Sequence, residues 1–252
     1  MTQHDNTKFE MLEDDTIKIG DRTLYRIRAK KDFRAVKAGN LGGYIEKEDN
    51  LSEIGNAWVY DNAQVFGNAE VYDNAEVFGN AQVFGNAQVY DNAEVFSNAQ
   101  VFGNARVYEN AEVFGNAEVF SNAKVFGNAK VYDNAQVFSN ARVYDNARVY
   151  GTAWVYGEAQ VFSNARVYGD AEVYGDVEIR RSEDYVVFKN NWSSYRYFTY
   201  TKSNKMWKVG CFYGTGQGLI EKAYKDSEKS GKCYEAYVKL VEQLETITEQ
   251  KG

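Results

Sequence analysis

Proline is absent from all 252 residues, where average usage near 5% would place roughly a dozen. Proline cannot donate to a β-ladder, so its absence suits a backbone that is nearly all paired. Cysteine is scarce: Cys211 and Cys233 stand near the C-terminus with no CxxC spacing. Two such thiols make neither a disulfide framework nor a zinc pattern, and both are expected as buried free thiols. Histidine occurs once, as His4 in a polar tail. No apolar run approaches the roughly 18 residues of a membrane span, and the opening MTQHDNTKFEMLEDD lacks signal-peptide character. The formal charge of −7 disfavours nucleic-acid binding, since phosphate attraction needs a basic surface. The expectation is a soluble, cytoplasmic chain with no cofactor, no metal and no membrane contact.

What is present is repetition. Alanine recurs every six residues from Ala57 to Ala171, twenty times without a slip. Valine follows two places later, from Val59 to Val173, and then an aromatic, from Tyr60 to Tyr174. A Gly, Asp, Ser or once Glu (Glu109) comes next, and then nearly always Asn. On a strand, alternate side chains face opposite ways, so Ala and Val point inward and the variable residue between them points out. Pairs such as Gly79-Asn80 and Asp91-Asn92 suit sharp corners, because Gly and Asn tolerate positive φ. Strand, corner, strand on a six-residue period describes a parallel β-helix with 18 residues per triangular coil. Twenty hexads predict six to seven coils, a rod of roughly 30 Å at about 4.8 Å per coil.

This pattern resembles the hexapeptide-repeat left-handed β-helix family, and the left hand is taken from that resemblance. The head, VKAGNLGGYIEKEDNLSEIGNAWVYDNA (residues 36–63), is similar to that of uncharacterised bacterial and prophage repeat proteins, some labelled acyltransferases on fold alone. The resemblance implies acyl transfer through a general-base histidine in a subunit cleft, or carbonic anhydrase chemistry through three zinc-binding histidines. His4 lies far from the coils in sequence, and no repeat position carries His or Cys. The fold transfers and the chemistry does not, because function lives in sites. An enzyme is therefore not expected.

Every third hexad stacks, which predicts three aromatic ladders. One runs Tyr60, Phe78, Phe96, Phe114, Tyr132, Tyr150, Tyr168; the second Phe66, Phe84, Phe102, Phe120, Phe138, Tyr156, Tyr174; the third Tyr72, Tyr90, Tyr108, Phe126, Tyr144, Phe162. Phe and Tyr share the position equally, so the rings are expected half-exposed at the corners, with the para carbon reaching water. They either cover one another or form a contact site. The outward residues form three columns. Trp58, Glu76, Glu94, Glu112, Lys130, Arg148, Arg166 is one; Gln64, Gln82, Gln100, Glu118, Gln136, Trp154, Glu172 another; Glu70, Gln88, Arg106, Lys124, Arg142, Gln160 the third. Two of them place acids toward the N-terminal half and bases toward the C-terminal half. Such a dipolar rod could pair head to tail, or hold an anion near Arg142, Arg148 and Arg166. The candidate interaction surface is Phe66, Phe84, Phe102, Phe120, Phe138 and Tyr156, with Arg142, Arg148, Arg166, Trp58 and Trp154.

The flanks read as caps, since an open solenoid end exposes unpaired backbone. Residues 1–55 give a hairpin turning at Gly20-Asp21 and an irregular first coil, with Ile45 and Leu51 in the alanine phase. Residues 56–180 are the coils. Residues 183–252 read as a small α+β domain, independent of the rod, of three strands (DYVVFKN, YRYFTYT, MWKVGCFYG) and two helices, the first ended by Gly231. YGTGQG lacks a full phosphate-loop pattern and is read as a helix entry capped by Thr215. Tyr234, Tyr237, Val238, Val241 and Leu244 share one face of the second helix. Only Thr152 supplies threonine within the repeats, against an ice-binding role, and the Arg and Lys rows break up any DNA-mimicking acidic surface. The expected function is a non-enzymatic, protein-binding β-helix rod, phage or prophage encoded, with specificity in the C-terminal domain and a place in the host cytoplasm or, if phage encoded, in the virion. The alternatives are a hexapeptide-type acyltransferase and a phage inhibitor that sequesters a host factor. The partner is expected to be another protein or a sister subunit, in a monomer or trimer.

Overall fold

The computed structural model describes residues 6–249. Strands β1 (Phe9–Ile19) and β2 (Arg22–Ala29) form an antiparallel hairpin that turns at Gly20-Asp21, as the sequence predicts. Strand β3 (Leu41–Ile45) adds to β2 and opens the solenoid. Twenty-one short strands follow, β4 (Trp58–Val59) to β24 (Glu178–Ile179), each two or three residues long. They pair in parallel with partners 18 residues on, and so divide over three sheets that form the faces of a prism.

The hexad explains each coil. Every Ala from Ala57 to Ala171 and every Val from Val59 to Val173 is wholly buried. Small Ala at the corner and branched Val on the face leave no room for anything else along the axis. The amides of the outward residue and of the aromatic donate to carbonyls of the next coil, Trp58 to Ala75 at 3.0 Å and Tyr60 to Val77 at 2.8 Å, while the alanine amide closes its own corner, Ala63 to the Tyr60 carbonyl at 3.1 Å. Within a corner the left-handed backbone falls on the Gly, Asp, Ser or Glu, with Asp61 at φ 53° and Glu109 at φ 60°. The sequence reading allowed Asn the same conformation; Asn does not adopt it.

The coils number about eight, one more than the hexads predict. Seven come from the twenty-one strands, and the first comes from β3 and the segment after it. That coil is two residues longer than the rest: Ile45 pairs with Val65 and Leu51 with Val71, twenty residues apart. Ile45 and Leu51 therefore continue the valine rows and not the alanine rows. The extra residues sit in the corner at Ser52–Gly55, where Val-aromatic-x-Asn-Ala is replaced by LSEIGNA. Buried Asn50 shapes the preceding corner, accepting the Glu46 and Lys47 amides on Oδ1 and donating to the Gly67 and Ala69 carbonyls.

After the coils come four antiparallel strands, β25 (Tyr185–Lys189), β26 (Tyr197–Thr201), β27 (Met206–Val209) and β28 (Phe212–Gly214). The count exceeds the predicted three because MWKVGCFYG folds back on itself at Gly210-Cys211, with Gly210 at φ 54°. That turn exposes Cys211, against the expected burial, and leaves Cys233 half-buried; both thiols are free. Helix α1 (Gly216–Asp226) starts at Thr215, whose Oγ1 accepts the Gly218 amide at 3.3 Å. It ends at Ser227, in extended backbone, and α2 (Glu228–Glu249) begins at once. Gly231, the predicted stop, lies inside α2 where any β-carbon would strike the Tyr224 ring of α1. Tyr234, Val238 and Val241 pack on Phe198, Trp207 and Leu219, whereas Leu244, predicted on the same face, is 45% exposed.

This domain does not stand apart from the rod. Thr199 Oγ1 accepts the Glu172 amide at 2.9 Å, and Ser203 Oγ the Glu178 amide at 3.1 Å. Tyr185 Oη accepts the Tyr168 amide and donates to the Arg166 carbonyl, and the Tyr213 ring meets the Tyr174 ring edge-on.

Candidate interaction surface

Three corners carry the aromatic rows, and three faces carry the columns. Stacking follows from the sequence spacing: Phe66–Phe84 centroids are 4.9 Å apart with planes 1° from parallel, and Phe78–Phe96 4.7 Å at 2°. Such contacts contribute about 0.5–1.5 kcal/mol per pair beyond area burial. The rings are half-buried as expected, except Tyr168, which is exposed at the C-terminal end of its row. The tyrosine hydroxyls reach along the rod: Tyr60 donates to Glu76 at 3.3 Å and Tyr144 to Gln160 at 3.3 Å. Burial pushes the Tyr60 and Tyr72 hydroxyls up to about 12, helped by Glu76 at the first and by Tyr90 at the second.

Beside each aromatic row runs an amide row that the sequence reading missed. Asn68 Nδ2 donates to Asn86 Oδ1 at 3.1 Å, Asn86 to Asn104, Asn104 to Asn122 and Asn122 to Asn140. The other two corners do the same, from Asn74 to Asn146 and from Asn80 to Asn134. Each amide is donor and acceptor at once, so only Asn in every coil propagates the chain. The near-invariance of Asn at an 18-residue spacing was the available signal. Acidic corner residues have a second role: Asp61, Asp91, Asp133 and Asp145 each accept the corner amide one coil on, as does Glu109 from Gly127.

The columns differ in character. On the face led by Gln64, amides bond in series, Gln82 to Gln64 at 2.8 Å and Gln136 to Glu118 at 3.1 Å. On the face led by Trp58, Lys130 bonds Glu112 at 2.7 Å and Arg34 of the N-terminal segment reaches Glu76 at 2.6 Å. Glu94, between two other carboxylates, has its pKa raised, first by partial burial and then by Glu76 and Glu112. Among the described residues, Glu94, Arg148 and Arg166 have no ion-pair partner, and both arginines are exposed.

One predicted surface residue is not on the surface. Trp58 stands in the outward column but is 1% exposed, covered by Phe9 and Phe33 of the N-terminal segment. The hexad places a side chain relative to its own coil and is blind to chain that folds over it. Trp154, in contrast, is 42% exposed and meets Phe138 edge-on. Phe66 and Phe84 line a groove of about 610 Å³ with Arg22, Glu46 and Lys47. Phe102, Phe120, Phe138 and Tyr156 continue that row, while Arg142, Arg148 and Arg166 lie on the other two faces. The predicted residues thus form a ladder on one corner and arginines divided between two other faces, not one site.

Among the described residues no group of three or more His, Cys, Asp or Glu side chains could hold a metal ion. No described helix is long and apolar enough to cross a membrane. His4 lies outside the described residues. No curated protein matches the chain. A family model, the YdcK beta solenoid repeat, matches residues 99–113 and 141–157, both within the coils. With stacked 18-residue coils and continuous internal rows, the chain is a repeat β-solenoid protein whose coils are similar to the YdcK repeat.

Proposed function

We propose that this protein is a non-enzymatic rod that acts by binding protein through its outer faces and corners. The observation that carries the reading is the unbroken alignment of aromatic, amide and charged rows on a backbone in which every coil is hydrogen-bonded to the next. Half-exposed rings at a fixed repeat offer a stiff apolar ladder, and stiffness lowers the ordering cost of association. Arg142, Arg148, Arg166 and Trp154 add charged and aromatic anchors of the kind enriched in interface centres. The coils turn corners of constant length from Asn56 to Asp176, so no long loop walls a pocket over them. A phage setting follows from the resemblance of the head segment and belongs to the same proposal. The C-terminal domain, seated on the last coil, is a second candidate recognition surface.

The test uses the full chain, immobilised, with a lysate of the cell that encodes it. Wild-type protein is expected to recover a defined protein set, and the folded double variant Arg142→Glu/Trp154→Ala to lose at least tenfold of it. Equal recovery by the folded variant removes these residues from the interface. Acyl transfer from acyl-coenzyme A by the purified chain would overturn the non-enzymatic reading in favour of the acyltransferase alternative.

A further inference from the structure

The face led by Trp58 differs from the other two in the order of its charges. From Glu76 its column reads acid, acid, acid, base, base, base: Glu76, Glu94, Glu112, Lys130, Arg148, Arg166. A two-fold axis perpendicular to the rod, passing between Glu112 and Lys130, maps this column onto itself with every sign matched. Glu112 then faces the partner's Lys130, Glu94 its Arg148, and Glu76 its Arg166. A parallel pairing sets like charge on like. The face led by Glu70, completed to seven rungs by Glu178, fails the same operation about its midpoint, because its bases lie in the middle: Arg106 would face Arg142, and Lys124 its own copy. The face led by Gln64 has no base among its outward residues.

Intrachain pairing leaves this column unfinished. Glu112 and Lys130 bond one another, and Arg34 serves Glu76, while Glu94, Arg148 and Arg166 have no ion-pair partner among the described residues. Antiparallel pairing would bring unmatched Glu94 to unmatched Arg148, and would set Arg166 against Glu76, the carboxylate that Arg34 also holds. We infer that this face is a self-recognition surface on which a second copy of the chain docks antiparallel, with Glu94 opposite Arg148 across the two-fold axis. The inference rests on the reading of the rod as a protein-binding surface and names one of its partners. Six rungs at about 4.8 Å make a strip roughly 25–30 Å long. With a face about four residues across, roughly 13 Å at ~3.3 Å per residue, this is roughly half of the ~800 Å² per partner of a standard interface. The pair is therefore weak, and its dependence on exposed charges makes it salt-sensitive.

Sedimentation velocity of the full chain between about 10 and 200 µM reads this directly, the range being set by the small area. Dimer is expected at low salt and monomer in about 1 M NaCl, where screening is nearly complete. Glu94→Arg places two arginine pairs in opposition and is expected to abolish the dimer; Arg148→Glu does the same with carboxylates. Combining both substitutions restores the sign match and should restore the dimer. Unfolding does not mimic this result, because Glu94→Arg relieves repulsion within its own column, so the monomeric variant should melt no lower than wild type. A wild-type chain that stays monomeric at low salt, a trimer, or a double variant that remains monomeric overturns the inference. Protein recovery from lysate by a monomeric chain would leave the broader protein-binding reading standing.

Discussion

At the scale of single residues, the corners show how one position accepts four residue types. Glycine corners from Gly67 to Gly157, each stacked on a further corner, sit at φ 71–77°, whereas Asp, Ser and Glu corners from Asp61 to Ser163 sit at 53–63°. A side chain thus shifts the backbone slightly, and an L-residue in the left-handed region costs roughly 1–2 kcal/mol. The acidic residues offset part of that cost through their bond to the next corner's amide, which neutral Gly cannot make. Room decides the rest. At Gly127 an added β-carbon would lie 2.7 Å from the Asp145 nitrogen, while at Gly169 nothing stands within 4 Å. Gly169→Ala is expected to lower stability by the ~1–2 kcal/mol of the left-handed backbone alone, and Gly127→Ala by about 2–4 kcal/mol, since its β-carbon also meets the next corner. Urea midpoints of the two variants check this, and equal midpoints would mean that the stacked corners give way freely. The sequence displayed these corners as a Gly/Asp-Asn pair but not the division of labour within the pair, because the Asn ladder exists only between coils.

At the scale of elements, the direction of the ladder dictates the chemistry of each cap. The amides of the outward residues, the aromatics and the asparagines donate toward the next coil, so on the last coil those donors have no further coil to meet, and on the first coil the matching carbonyls have none before them. The C-terminal sheet answers with hydroxyl oxygens from Thr199, Ser203 and Tyr185, and Ser182 Oγ takes the Arg166 amide. The N-terminal segment answers with cations: Lys8 Nζ donates to the Ser52 carbonyl at 2.9 Å, and Arg26 to the carbonyls of Gly42 and Asp61. Thr199→Val leaves the Glu172 amide without its acceptor, a loss of about 1–3 kcal/mol. Hydrogen exchange should quicken at Glu172 by tenfold or more and leave Gln136 unchanged; no local change would deny the hydroxyl its capping role. Lys8 is wholly buried, and its pKa is lowered to about 8, by burial first and then by Lys31. Between pH 8 and 10.5 the unfolded chain holds a proton on this amine that the folded chain has shed, so stability rises with pH across that window. Below pH 8 both states carry the proton and the cost of burying the charge is fully present. Urea midpoints are expected to climb from pH 8 to pH 9.5 in wild type and to stay level in Lys8→Met. Neither cap was legible residue by residue, since Lys8 and Thr199 meet the coils only after distant segments close over them.

At the scale of the whole molecule, legibility tracked periodicity. Twenty hexads with the same Ala-x-Val-aromatic order made the coils, the buried Ala and Val rows and the ring stacks readable, because each repeat faces the same kinds of neighbour as the last. The first coil escaped the count because its Leu51–Ala57 corner is two residues too long for the hexad, and Trp58 was misplaced because Phe33 and Phe9 cover it. The split of MWKVGCFYG into two strands and the helix break at Ser227 rest on single local contacts, for which no repeat supplies a second reading. The three-face register also constrains how such a gene can lengthen or shorten. Gain or loss of a whole 18-residue coil leaves every later column on its own face, whereas gain or loss of one hexad keeps the core intact yet turns all later columns onto the neighbouring face. Recombination within the repeats therefore has two outcomes of equal foldability: one changes only the reach of the molecule, and the other redraws its entire outer pattern of charge.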